Sequence, residues 1–318
     1  MKKLYLSSVR RNVGSAIKNN LKLLLGAIVY PVQARRWRRF VRGNSVLSDL
    51  AQQYPRISHK IYRPYLSSGL SCADRVDVLI GHYKRIFKAG LGELIGRAAV
   101  NSVPIAQFAG KSGALFELHL CAINDGHREG ELTLKLMQQE RCLYVSSFVL
   151  VTLGGEPSIA LGALQGLRSS DGAAIIKDVT RELHGCRPKK LMVSVVRALG
   201  EHFGATRIML VSNENRIAVN GRRARRISSN YDETWQEMGA TRRADGNFEL
   251  PCTEPGHDIE LVPSHKRALA RRRAALLAAI CATAQSSLKM PRLYLAHPAP
   301  GAKPVPLPTM SLTKAAAR

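Results

Sequence analysis

No acidic residue precedes Asp49 or follows Glu260 in this chain of 318 residues. The two acid-free ends hold 21 of its 48 Lys and Arg residues, while residues 49–260 hold 27 basic against 23 acidic ones. That distribution excludes a uniformly basic protein. It describes a nearly neutral globular middle with cationic ends, and cationic ends seek anionic partners.

Other absences narrow the function classes. The six cysteines, at positions 72, 121, 142, 186, 252 and 281, never form C-x-x-C, and the histidines show no paired ligand spacing. Both facts argue against structural zinc, and no metal ligand set is predicted. Most of the cysteines sit in apolar or strand-like runs, which predicts buried reduced thiols and a cytoplasmic setting. No Ser-His-Asp order and no Walker-type loop is present. No helix-turn-helix, zinc-finger or RNP-type motif is present either, so nucleic acid, bound through charge alone, is the weaker choice of partner. No apolar run approaches the ~20 residues that a bilayer core requires. Leu23–Tyr30 has only the length of a signal-peptide core, although Val32-Gln33-Ala34 resembles a small-residue cleavage site. The long stretch before it, which carries Lys18 and Lys22, and Arg35, Arg36, Arg38 and Arg39 just after the would-be cut argue against export.

What is present begins with an amphipathic N-terminal arm. Val9, Val13, Ile17, Leu21, Leu24 and Ile28 recur at three- or four-residue steps and share one helical face. Arg35-Arg36-Trp37-Arg38-Arg39-Phe40 then sets two aromatics among cations. Two readings fit. In one, the arm lies at a membrane interface, apolar groups in the acyl boundary and cations on anionic headgroups. In the other it packs on the domain and leaves its arginines solvated.

Residues 73–100 read as helix, with Val76, Leu79, Ile80, Tyr83 and Phe87 on one side. The period then changes to two: Phe116, Leu118 and Leu120 alternate with Glu117 and His119, and Leu132, Leu134 and Leu136 alternate with polar residues. Residues 142–151 and 158–165 are further strands, and the short gaps between strands, including Asn124-Asp125-Gly126, predict an antiparallel meander. After Gly166 come a helix over 173–183, a stronger one over 188–203, and a strand over 207–212. Pro188 suits the first position of the second helix and Gly204 its stop. A helical patch around 232–238 and a basic helix over 264–282 follow. The fold class is therefore α+β: a mostly antiparallel meander sheet with packed helices. The chain divides into a basic arm (1–48), an α+β domain (49–285) and a Pro- and Ala-rich tail (286–318) expected to be disordered.

The candidate chemistry centres on His184-Gly185-Cys186-Arg187-Pro188-Lys189-Lys190, at the start of the strong helix. A helix N-terminus offers unpaired N–H groups and partial positive charge. Gly185 admits a ligand close to the backbone, and Arg187, Lys189 and Lys190 add formal charge. The combination suits a phosphate or carboxylate. The alternative is that these cations pair with carboxylates elsewhere in the fold. His184 is the best-placed titratable group. Glu129 and Glu131 flank Gly130 and are candidates for a general base, or else belong to a solvated turn. Gln165-Gly166 ends a strand where a ligand has room to approach. Tyr231-Asp232-Glu233-Thr234-Trp235 holds one of two tryptophans. Trp235 reads as a core anchor, and Asp232 as a partner for the helix cations.

Several segments together resemble the VirK/YbjX family of Gram-negative bacteria. They are His82-Tyr83; Arg128-Glu129-Gly130-Glu131-Leu132; Leu161-Gly162-Ala163-Leu164-Gln165-Gly166; Leu183 through Lys189; Leu210-Val211-Ser212; Tyr231 through Trp235 with Met238-Gly239; Leu250-Pro251; and Lys266-Arg267-Ala268 with Arg271-Arg272-Arg273. Thr234, Ala240 and Ala270 depart from the family pattern. The resemblance implies a virulence-associated protein linked to cell-envelope integrity, surface-protein placement and resistance to cationic antimicrobial peptides. Its expected place is peripheral, on the cytoplasmic face of the inner membrane, with an anionic membrane surface and envelope or surface proteins as partners. The layout is also similar to GNAT-type acyltransferases. That likeness implies a coenzyme A ester held at the helix start by Gln165, Gly166, Gly185, Arg187, Lys189 and Lys190, with Glu129, Glu131 or His184 as catalytic groups.

Overall fold

The computed structural model describes residues 24–123, 128–167, 169–217, 230–253 and 262–289. Helices come first: α1 (Pro31–Arg42), α2 (Ser45–Gln53), α3 (Arg56–His59), a 3₁₀ turn (Lys60–Tyr62), α4 (Cys72–Lys88) and α5 (Gly92–Val100). Five strands follow: β1 (Val103–Ala109), β2 (Leu115–Ala122), β3 (Leu132–Gln138), β4 (Arg141–Leu153) and β5 (Glu156–Gly166). Then come α6 (Gly172–Glu182), α7 (Pro188–His202), β6 (Arg207–Leu210), α8 (Tyr231–Glu237), β7 (Thr241–Arg242), β8 (Phe248–Pro251) and α9 (Ser264–Lys289).

Among the described residues the strands form one sheet in the order β1-β2-β3-β4-β5-β6-β8-β7. The first five make the expected antiparallel meander. β5 and β6 are the parallel pair, joined across α6 and α7. The α+β class thus stands. The alternating leucines predicted it correctly: Phe116, Leu118, Leu120, Leu134 and Leu136 are all buried.

Three elements depart from the periodicity. The helical stretch over 73–100 is two helices, because Gly90 turns the chain at φ 72° between α4 and α5. β1 carries Pro104, where the pairing with β2 shifts register. Proline lacks the ladder N–H and settles at sheet edges, so a real edge strand reads as loop in the sequence. β7 and β8 are two and four residues long, too short to show a period.

The apolar faces of α4, α5, α7 and α9 meet over the sheet. Ile86, Leu94, Leu199 and Leu288 converge there with Leu120, Leu132 and Phe148. α1 also joins this core through Trp37 and Val41, and the Trp37 Nε1–H donates to the Ile57 carbonyl at 3.0 Å. All six cysteines are free thiols, and four of them are buried.

Glycine sets the centre of the meander. The β4–β5 register slips by one residue, so Gly162 lies unpaired between Ala163 and Leu161. A Cβ on Gly162 would overlap the Glu129 carbonyl oxygen, and one on Gly130 would stand 2.5 Å from the Phe148 nitrogen. Both glycines of the family-like segments are therefore explained by three backbones crossing at close quarters. β3 begins only at Leu132, opposite Phe148, so β4 outruns it. α4 serves the vacated edge: His82 Nδ1 accepts from the Leu150 amide at 3.2 Å, and Arg85 donates to the Val151 carbonyl and to Thr152 Oγ1.

Candidate functional site

Glu131 is the centre of a buried polar network. Its side chain is 1% exposed and that of Lys60 is 4%. Lys60 Nζ donates to Oε1 at 2.5 Å, and the Tyr83 hydroxyl donates to Oε2 at 2.5 Å. Lys60 Nζ also lies 5.5 Å from the centre of the buried Tyr65 ring. Burial, and then the Glu131 charge, push the Tyr83 and Tyr65 hydroxyls well above the usual phenol range. Burial holds His82 down at about 4, against the pull of Glu131, so its ring is neutral. Its Nε2 is buried without a hydrogen-bond partner. Glu131 therefore has both oxygens engaged in the protein interior, and it ties the 3₁₀ turn and α4 to the start of β3.

Glu129 does not share this interior. It is half-buried, whereas Glu131 is buried, and both acids precede β3, which starts at Leu132. Burial raises the Tyr231 phenol, and the Glu129 charge adds to that rise.

Tyr231 marks a second feature. β5 pairs with β6 only over Ser158–Leu161, and the last residues of β5 run on without it. There the Tyr231 hydroxyl accepts from the Leu164 amide at 2.7 Å and donates to the Leu164 carbonyl at 3.0 Å. The Arg216 guanidinium lies 3.5 Å from the Tyr231 ring centre. Tyr144 packs against Gly166, and burial raises its hydroxyl to about 12. Trp235 is fully buried and its Nε1–H donates to the Val211 carbonyl at 2.9 Å, the anchor its composition suggested. Asp232 accepts from the Asn213 amide at 2.7 Å. So Glu129, Gln165, Gly166 and Tyr231 gather around the free end of β5, with α8 plugged into the gap.

The His184–Lys190 segment has a defined local job. His184 and Gly185 both have positive φ, 52° and 79°. The Gly185 amide donates to the Thr180 carbonyl and the His184 amide to the Arg181 carbonyl, at 2.8 and 3.2 Å. This is the Schellman closure of α6, with His184 in the left-handed position usually held by glycine. Pro188 then opens α7, and no side chain caps it. Lys189 Nζ lies 2.5 Å and Arg187 Nη1 3.4 Å from Glu237 Oε2, at the end of α8. The Lys189 hydrogen bond, and then its charge, lower the Glu237 carboxyl. The cations thus meet a carboxylate from 48 and 50 residues away, and it is Glu237 rather than Asp232. His184→Gly relieves an L-residue held in the left-handed region, so it is expected to raise unfolding free energy by about 1 kcal/mol in urea titration. A drop instead would show that the imidazole itself holds the turn.

A third surface lies at the N-terminal side. Leu24, Leu25, Ile28, Val29, Tyr30 and Val32 are all exposed, Ile28 to 74%. Beside them Arg35, Arg36, Arg38, Arg39 and Arg42 stand exposed on α1. Among the described residues Arg36 alone of these five pairs with a carboxylate, Asp77 at 2.6 Å. Lys266, Arg267 and Arg271 occupy the first half of α9, where only Ala270 is buried. No described helix is long and apolar enough to cross a membrane. No described cluster of His, Cys, Asp and Glu has the grouping to hold a metal ion.

Lys60, Tyr65, Tyr83 and Arg216 escaped the reading of the sequence as site residues. Only Tyr83 left a trace there, as part of His82-Tyr83. Lys60 gives no local signal, because its burial depends on Glu131, 71 residues away.

Comparison with known proteins follows the same segments. Residues 12–286 match the family model described as "Protein of unknown function (DUF535)". The chain belongs to this family, that of VirK and YbjX. It is 26% identical over 264 residues to the uncharacterized protein YbjX of Escherichia coli, covering 81% of this chain and 80% of that one. An uncharacterized protein of Haemophilus influenzae is 25% identical over 162 residues, covering 51% of this chain and 54% of its own. Among solved structures, a cAMP-binding acyltransferase from Mycobacterium smegmatis aligns with a TM-score of 0.28 and 12% identity, over 67% of this chain and 61% of that one.

Proposed function

We propose that this protein works as a peripheral protein on an anionic membrane surface, the cytoplasmic face of the inner membrane, where it supports envelope integrity and resistance to cationic antimicrobial peptides. The observation that carries the membrane part is the exposed apolar strip from Leu24 to Val32 beside the exposed arginines of α1. Apolar groups in that position gain by entering the acyl boundary, and the cations gain from anionic headgroups. The envelope role rests on the family resemblance.

Truncating the arm is a poor test, because it removes Trp37 and Val41 from the core. Point changes at exposed sites avoid this. Ile28→Asp with Val29→Asp is expected to lower co-sedimentation with phosphatidylglycerol-containing vesicles at least tenfold, while thermal melting stays unchanged. Added salt is expected to weaken wild-type binding. Equal sedimentation of variant and wild type would end this reading.

A second reading is an acyltransferase of GNAT type, acting on an envelope component with a coenzyme A ester as donor. It is favoured by the meander followed by the parallel β5–β6 pair, joined across α6 and α7. In it Arg187, Lys189 and Lys190 grip the donor phosphates, Glu129 serves as base, and Tyr231 must leave Leu164 for the donor to enter. Glu237→Gln frees the cations, so it is expected to enlarge any thermal shift given by coenzyme A esters, and Arg187→Ala to abolish it. No shift with any ester, in wild type or Glu237→Gln, removes this reading.

A further inference from the structure

A groove of about 470 Å³ opens beside the exposed strip, between the helical turn at residues 24–29, α1 and α2. Its size is that of a small-ligand site. Its apolar wall is built by Leu24, Ala27, Trp37, Val41 and Ala51. Two cations, Arg38 and Arg42, also line it, and no acidic residue does. Arg38 spends its Nε on the Ala34 carbonyl at 3.3 Å, and among the described residues neither arginine meets a carboxylate. One end of the ligand is thereby specified as anionic, and the rest as an apolar chain.

The floor is made to fit. Gly26 sits over the Tyr62 ring so closely that a Cβ would stand 2.5 Å from its Cγ. Tyr62 lines this groove and also a second cavity of about 340 Å³ on the other side of Gly26. The helical turn at residues 24–29 thus crosses Tyr62 as a bridge, with a cavity on each flank. The groove wall and the exposed strip share Leu24, so the two apolar surfaces adjoin.

We propose that this groove binds one acidic phospholipid molecule, its phosphate on Arg38 and Arg42 and one acyl chain along the Leu24–Trp37–Val41 wall. The proposal rests on the membrane reading above and adds a stoichiometric lipid site to it. Charge complementarity selects the occupant: a neutral hydrophobic peptide leaves both guanidinium groups unanswered, and a nucleic acid leaves the apolar wall empty.

The test uses the full chain and monomeric lysophosphatidylglycerol, below its micelle concentration, in calorimetric titration. One molecule is expected to bind per chain. Inorganic phosphate, which has no acyl chain, and lysophosphatidylcholine, whose own choline cation offsets its phosphate and stands against the two arginines, are each expected to bind at least tenfold more weakly. Ala51→Phe, which fills the groove, and Arg38→Ala with Arg42→Ala, which removes the charges, are each expected to lower affinity at least tenfold. Ser48→Phe fills the same groove and replaces Ala51→Phe should that variant melt early. Vesicle sedimentation separates the two ideas. Vesicle binding with no lysolipid binding overturns the groove and leaves the membrane reading standing. Lysolipid binding without vesicle binding does the reverse. Native-like melting of Ala51→Phe or Ser48→Phe with undiminished lysolipid affinity also overturns the groove. So does binding seen only after residues 1–22 are removed, which would assign the groove to the chain's own N-terminus.

Discussion

Glu131→Gln is expected to lower the unfolding free energy by about 3–5 kcal/mol, the cost of leaving one buried charge without its partner. Lys60 Nζ has the Glu131 carboxylate at 2.5 Å and is itself almost fully buried. Without that charge the ammonium must stay ionised in the interior or give up its proton, and both are expensive. Lys60→Met alone is expected to be as harmful, since it strands the carboxylate on Tyr83. The double change Lys60→Met with Glu131→Met removes both charges at similar volume. It is expected to recover most of the loss, short of the 1–3 kcal/mol or so for the Tyr83 hydroxyl left unpaired. Urea unfolding of the four proteins closes the cycle. A solvated catalytic base gives the opposite result: substitution there leaves stability within about 0.5 kcal/mol. Unchanged stability in Glu131→Gln would remove the network from the account of this fold and return Glu131 to the candidate bases.

Acid is expected to destabilise this protein through His82 before its carboxylates are exhausted. The ring keeps its neutral form in the fold until about pH 4, because burial opposes the charge, while in the unfolded chain it protonates near its ordinary 6.5. Between those values the unfolded state binds the extra proton, so stability falls as pH falls. The full contribution is present above pH 6.5 and is lost by about pH 4. That shift corresponds to about 3 kcal/mol, of which about 2 kcal/mol is gone by pH 5. Glu131 pulls the ring toward protonation, and Lys60 and Arg85 oppose it. His82→Gln keeps an acceptor for the Leu150 amide and removes the titration. Its melting temperature is therefore expected to fall less than that of wild type between pH 7 and pH 5. Parallel curves for the two proteins would show that the imidazole is protonated in the fold.

The two expectations share one cause. His82 and Tyr83 are adjacent on α4, one facing the vacated edge of β4 and the other Glu131. The same helix that completes the sheet also closes the charge network. A fold built in this way spends two of its most distinctive family-like segments on its own integrity. That leaves the exposed N-terminal face and the end of β5 as the surfaces on which the two proposed functions rest.

What the sequence determined by itself was everything that repeats over a few residues. Alternating leucines set β2 and β3, the apolar stripe between Pro188 and Gly204 set α7, and the acid-free ends set the electrostatic layout. Such signals survive in one dimension because neighbours along the chain create them. The tertiary structure decided what distant residues do to one another. It put Glu131 against Lys60, gave Glu237 to Arg187 and Lys189, seated Tyr231 on Leu164, and, among the described residues, left Leu24, Leu25, Ile28, Val29, Tyr30 and Val32 exposed. Burial and charge pairing are properties of the packed volume around a side chain, and that volume is filled by residues the local pattern never mentions.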